Sequence, residues 1–179
     1  MTSEQTNASS HLLTRLACLL AVLGSAGSVW LTKYLGLIPC PLCYIQRTFI
    51  LAAAGILLLG LLVEMQPPAV ISLLTLVPAV AGMIVAAFHV YKEAVGDLVC
   101  PNGLFGVGTA PQQSLAVFFL LSLLLLLDGL GRSPKSSRLT ASVAVAAVLG
   151  SLLGAASISA ASSQPIPKTG PVIGCRKPA

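Results

Sequence analysis

The chain has 179 residues, 56% of them hydrophobic and 8% charged, against roughly 25% charged in soluble domains. So few charges cannot clothe a water-facing surface, which excludes a soluble globular protein and leaves an integral membrane protein. Ten basic and five acidic residues give a net charge of +5, but the basic residues do not cluster with aromatics, so nothing marks a nucleic-acid surface.

Five apolar segments follow in chain order, at 12–31, 44–63, 69–91, 114–130 and 139–162. A spanning helix needs about 20 residues. The first segment is longer than the apolar core of a signal peptide and has a poor charged flank, so it is read as a retained span. Trp30 and Tyr34 fall at its far interface, where aromatic belts lie. The second reaches spanning length if its helix begins near Leu42. The third contains Pro78, which predicts a kink that neighbouring helices can tolerate. The fourth is interrupted late by Asp128. The fifth is rich in Ala, Ser and Gly, and Gly150 and Gly154 predict close packing against another helix. The connections are a tight turn "EMQPP" (64–68), a Gly- and Pro-containing loop (92–113), a basic loop "GRSPKSSR" (131–138) and a proline-rich tail (163–179). The expected fold is an all-α membrane protein, a four-helix transmembrane bundle with a fifth helix, forming one domain over 1–179.

Arg132, Lys135 and Arg138 argue that the fourth connection is cytoplasmic, and Arg15 puts the amino terminus on that side. Five spans then leave the carboxyl terminus outside. Of the five cysteines, Cys18 lies inside an apolar run and reads as a small core residue. Cys40, Cys43, Cys100 and Cys175 all fall on the extracytoplasmic side, where disulfides persist. Four spans would have stranded Cys175 opposite the others.

Cys40 and Cys43 flank the start of the second span. Pro41 suits the first helical position. Cys43 in the first turn meets the positive end of the helix dipole, and Arg47, four residues on, shares its face. Both favour a thiolate. An arginine at a membrane interface also needs a partner: a thiolate, a ligand oxygen or a lipid phosphate. A lone C-x-x-C leaves redox work, metal binding and a static disulfide open. Zinc needs two more ligands, yet the other cysteines are single and distant, and His11 and His89 are predicted on opposite sides, so no metal site is expected. His89 closes the third span on the dithiol's side, as an interfacial residue or as a hydrogen-bond donor or proton relay to a ligand near Arg47. Cys100 and Cys175 are within reach of each other, since a tail of about twelve residues at about 3.1 Å per residue extends roughly 37 Å. Reach does not establish a bond, and such a bond could be an accessible, exchange-prone disulfide or a staple for the tail.

"PCPLCYIQR" (39–47) together with "FHVYKE" (88–93) resembles the disulfide bond formation protein B (DsbB) family of bacterial inner-membrane oxidases, over roughly residues 12–130. The resemblance implies a four-helix core and a quinone cofactor, ubiquinone or menaquinone. It also implies a periplasmic thioredoxin-fold dithiol oxidase (DsbA-like) as partner, with membrane lipid around the bundle. It makes Cys40 and Cys43 the quinone-proximal redox pair, assigns Arg47 and His89 to quinone binding, and makes Cys100 the first cysteine of the second periplasmic loop. One departure stands out. The family's partner for that loop cysteine lies in the same loop, whereas here 101–113 contains no cysteine and Cys175, beyond the extra helix, is the candidate. The expected function is a thiol:quinone oxidoreductase working through Cys100/Cys175 and Cys40/Cys43. Two alternatives are a vitamin K epoxide reductase-like oxidase, whose loop cysteines precede its C-x-x-C, and a non-enzymatic membrane assembly protein with structural disulfides.

Overall fold

A computed structural model of the chain describes residues 3–34, 39–63, 68–132, 137–162 and 175. Among them run five long helices: α1 (Ser3–Lys33), α2 (Pro41–Leu62), α3 (Pro68–Ala94), α4 (Ala110–Arg132) and α5 (Ser137–Ser162), with a single 3-10 turn at Leu104–Gly106. All five are long and apolar enough to cross a membrane. The tight turn at 64–67, Lys135, the side chains of His11, Arg132 and Arg138, and the tail apart from Cys175 lie outside the described residues.

Helix boundaries differ from the apolar segments where capping chemistry intervenes. Pro41 occupies the first turn of α2 with Cys40 as its N-cap, three residues before the apolar run. The fourth helix starts at Ala110 rather than 114. Its first turn therefore includes Gln112 and Gln113, whose side chains bond to backbone of the preceding loop. Pro78 lies within α3, and the helix continues through it.

The third helix is central, packing against α2, α4 and α5, while α1 closes the bundle against α2 and α4. Leu57, Leu76, Val85, Phe118, Leu121 and Leu125 are fully buried between these helices. Asp128 is buried too, accepting hydrogen bonds from Thr14 Oγ1 of α1 (3.2 Å) and Ser72 Oγ of α3. A carboxylate in an apolar helix is tolerated because hydroxyls on two neighbouring helices solvate it. The fifth helix lies against α3 by its glycines. A Cβ at Gly150 would stand 2.7 Å from the Val77 carbonyl oxygen, and one at Gly154 3.0 Å from that of Ala81. Only glycine lets the two backbones approach so closely.

Candidate functional site

At one end of the bundle, the N-terminus of α2, the C-terminal turns of α3 and the 95–110 loop converge on four sulfurs. Pro41 fixes the first turn of α2 and Cys40 caps it, with φ −68° and ψ 165°. The Cys40 Sγ accepts a hydrogen bond from the Cys43 backbone N–H (3.3 Å), and the two Sγ atoms lie 2.9 Å apart as an open dithiol. The hydrogen bond from the Cys43 thiol, with a further one from the His89 ring, outweighs burial and holds the Cys40 thiol well below its usual range, at about 5. Cys40 is therefore the more acidic thiol of the pair.

His89, fully buried near the end of α3, is the hub. Its Nδ1 is 3.1 Å from Gln46 Nε2. Its Nε2 is 3.2 Å from Cys175 Sγ, 3.5 Å from Cys100 Sγ and 3.8 Å from Cys40 Sγ. With the Gln46 amide donating to Nδ1, the ring proton sits on Nε2 and points at sulfur; this tautomer is assigned from the bonding pattern. Cys100 and Cys175 are joined by a disulfide across 75 residues of sequence. Cys175 is 4% exposed, and its Sγ lies within 4.8 Å of the Cys40 and Cys43 sulfurs. Cys100 is half-buried.

A cavity of about 300 Å³ opens beside Cys43, between α1, α2, the start of α4 and the loop. Leu20, Leu23, Leu31, Ile50 and Val117 make it mostly apolar, while Cys43, Gln46, Arg47 and Ser114 mark a polar end. Arg47 is held from α1: its Nε donates to Ser28 Oγ (2.9 Å), and its Nη2 donates to the Ser28 carbonyl (2.7 Å) and to Thr32 Oγ1. Its guanidinium lies 5.8 Å from the Tyr44 ring centroid. The interfacial arginine thus takes its partners from α1 hydroxyls and a carbonyl, and its Nη1 has no hydrogen-bond partner among the described residues. Leu104 and Pro101 roof the cavity. The roof is strapped down by Gln113, whose Oε1 accepts from Leu104 N–H (2.8 Å) and whose Nε2 donates to the Leu104 and Val107 carbonyls (2.8 and 2.7 Å).

All six residues singled out from the sequence lie in this region, but they divide. Cys43, Arg47 and Cys175 line the cavity. Cys40, Cys100 and His89 stand behind it, and His89 meets sulfur rather than the cavity wall. Sequence reasoning passed over Gln46, Ser28, Thr32 and Gln113. Gln46 carried a signal, as a polar residue one turn from Cys43 inside an apolar span, where an uncompensated amide is costly. Ser28 and Thr32 are four apart and so share one helical face.

A family model described as disulfide bond formation protein DsbB matches residues 9–115. No curated protein and no solved structure matches the chain. The matched range includes Cys40, Cys43, Arg47, His89 and Cys100, and ends before α5 and Cys175.

Proposed function

The chain belongs to the disulfide bond formation protein B family, multi-pass inner-membrane oxidoreductases acting on protein disulfides, and from that premise we propose that it reoxidises a periplasmic thioredoxin-fold, DsbA-like dithiol oxidase. Electrons pass through Cys100/Cys175, then Cys40/Cys43, to a quinone, ubiquinone or menaquinone. The amino terminus is cytoplasmic and the carboxyl terminus periplasmic. Residues 12–130 form the family core, and α5 returns Cys175 to the periplasmic side. The observation that carries this reading is the meeting of a closed loop–tail disulfide and an open helix-cap dithiol around one histidine, with a cavity at the far sulfur.

Exposure sets the order of exchange. The partner's thiolate reaches Cys100, the half-buried sulfur, forming a mixed disulfide and expelling Cys175 as thiolate. The partner's second thiolate then displaces Cys100 and leaves with its own disulfide. Cys175 faces the helix pair, so its thiolate attacks Cys40 when Cys40 and Cys43 are joined, releasing Cys43. Cys100 next attacks Cys175, re-forming the loop–tail bond and freeing Cys40. Two electrons have then moved from the partner to the Cys40/Cys43 dithiol, and the chain has the bonding pattern described here. His89 Nε2–H stabilises whichever sulfur carries the charge, since hydrogen bonds to an ionised acceptor are the strong ones.

The cavity fits a quinone. Its lining is apolar, as a ring and isoprenoid chain require, its volume lies at the low end for small-molecule sites, and Arg47 Nη1 and the Gln46 amide offer donors for a ring oxygen. A bound quinone supplies a two-electron, two-proton acceptor beside Cys43. Arg47, fixed by Ser28 and Thr32, and Gln46 would hold it, and the Leu104 roof would keep water out. The test is quinol formation by the purified chain given a reduced thioredoxin-fold dithiol substrate and a short-chain ubiquinone or menaquinone analogue. Cys43→Ser should abolish it while the protein still accumulates in the membrane. Turnover surviving in Cys43→Ser would overturn the assignment.

A further inference from the structure

The sequence argued against a metal because no further ligands accompany the C-x-x-C. Folding supplies them. The Sγ atoms of Cys40, Cys43 and Cys175 and a ring nitrogen of His89 all lie within 4.8 Å of one another. Tetrahedral zinc with Zn–S bonds of about 2.3 Å places its ligand atoms about 3.8 Å apart. The Cys40–Cys43 sulfur separation, 2.9 Å, is shorter than that edge, while the two sulfur–nitrogen contacts, 3.8 Å from Cys40 to His89 and 3.2 Å from His89 to Cys175, lie on either side of the ~3.5 Å edge set by a Zn–N bond of about 2.0–2.1 Å. The set is three thiolates and one imidazole, a donor combination that suits a closed zinc site.

Gln46 completes the arrangement from behind. A metal-bound histidine donates its other ring N–H to an oxygen acceptor. With Nε2 on the metal, Nδ1 carries the proton, and rotating the Gln46 amide presents its oxygen at the 3.1 Å contact the nitrogen now occupies. The one obstacle is covalent: in the form described, Cys175 is spent in the disulfide with Cys100. Opening that bond turns Cys175 into a free thiolate among the other three ligands.

We propose that the fully reduced chain binds one thiophilic divalent cation, zinc, through Cys40, Cys43, Cys175 and His89, and that closing either disulfide takes thiolate ligands out of the site, so that the four-ligand site exists only while Cys40, Cys43 and Cys175 are all free. Binding releases thiol protons and consumes no electrons. The bound ion occupies three of the four sulfurs through which exchange runs, so it holds the chain in its reduced form until it is withdrawn. The inference needs the loop–tail bond to open but is independent of the electron acceptor, so it stands or falls separately from quinone turnover.

Cobalt(II) is the probe, added anaerobically to the purified full-length chain after reduction and removal of reductant, with no quinone present. The reduced chain should bind one cobalt with the visible bands of a tetrahedral ion and the near-ultraviolet charge transfer of three thiolates, and zinc should displace it. The chain with its Cys100–Cys175 bond intact should lack the three-thiolate spectrum. Cys100→Ser, which leaves Cys175 free, should show that spectrum once Cys40 and Cys43 are reduced. The Cys100→Ser/Cys175→Ser double variant should lose about one third of the charge-transfer intensity, and His89→Ala should weaken binding by at least ~10-fold. Absence of tetrahedral bands in both reduced wild type and Cys100→Ser would overturn the proposal. So would an undiminished three-thiolate spectrum in the double variant.

Discussion

Cys40 and Cys43 are three residues apart and owe their contact to one helical turn capped by sulfur and started by proline. Cys100 and Cys175 are 75 residues apart and meet because α4 crosses the bundle and α5 crosses back. The first pair is local chemistry, with its reactivity set by a helix end and one histidine. The second is topology, its position depending on every turn between. The contrast teaches that the two can be altered separately: reactivity should follow the α2 cap and its contacts, and delivery should follow the seating of α5. The family match ends at residue 115, so the matched part holds the local pair while the distal half of the second pair lies beyond it.

The largest effect expected from breaking this division is with Cys175→Ser. Turnover with a reduced thioredoxin-fold protein should fall on the order of 1,000-fold or more, as when an essential nucleophile is lost. Quinone reduction driven by dithiothreitol acting directly on Cys40/Cys43 should persist. Losing both together would show that the pairs are not separable. Next in size is the pH dependence of Cys40. A thiol held at about 5 is deprotonated above that pH and loses its reactive form as pH falls through it. Alkylation of Cys40 in the reduced chain, in chelator-containing buffer, should therefore stay fast down to about pH 5. Cys43→Ala removes the main stabilising hydrogen bond, and the midpoint should rise toward the ordinary ~8.5, slowing alkylation at pH 6.5 by up to roughly 100-fold. His89→Ala should move it the same way by less. An unmoved midpoint in both would detach Cys40's reactivity from its contacts.

A smaller effect is expected at the contact between α3 and α5. A side chain at Gly150 meets the Val77 carbonyl oxygen, so Gly150→Leu should push α5 off α3, costing about 1–3 kcal/mol as overpacking does. Non-reducing peptide mapping should then find less Cys100 bonded to Cys175, while Cys40 alkylation stays as in the wild type. A full complement of the loop–tail bond in Gly150→Leu would mean that α5 does not set the position of Cys175.

How much of this was legible in the sequence follows the same line. Five spans, the prolyl start of α2 and the glycine contact of α5 come from composition, length and residue type, because helix formation in an apolar phase is local. The shared face of Cys43 and Arg47 is likewise a matter of spacing. The convergence on His89 was not legible, because a histidine at the end of α3 meets sulfurs from a helix cap, a loop and a tail only after four helices have packed. The premise that no further ligands come near the C-x-x-C does not survive folding for the same reason: spacing counts only ligands that are neighbours along the chain. Asp128 misread its own segment in the same way, as a flaw in the fourth span, until Thr14 and Ser72 supplied its solvation. The sequence offers Arg47 a thiolate, a ligand oxygen or a lipid phosphate as partner, whereas Ser28 and Thr32, a whole span earlier, take that place in the fold.

The smallest effect concerns the roof that joins the two regions. Gln113 makes three hydrogen bonds to the backbone of Leu104 and Val107, and Leu104 lies over the cavity beside Cys43. Hydrogen bonds of this kind contribute about 0.5–1.5 kcal/mol each; two of these are partly buried and the third is exposed, so the low end applies. Gln113→Ala should lower the cost of opening the roof by about 1.4 kcal/mol, a factor of ten. Amide exchange at Leu104, whose N–H donates to Gln113, should quicken by roughly 10-fold, because local opening governs exchange there. The cap dithiol does not touch Gln113, so Cys40 alkylation should keep its pH midpoint. Unchanged exchange at Leu104 would show that the loop is held by its own backbone bonds, Gly103 N–H to Gly108 O and Ala110 N–H to Pro101 O. The roof would then belong to the loop's local fold rather than to α4.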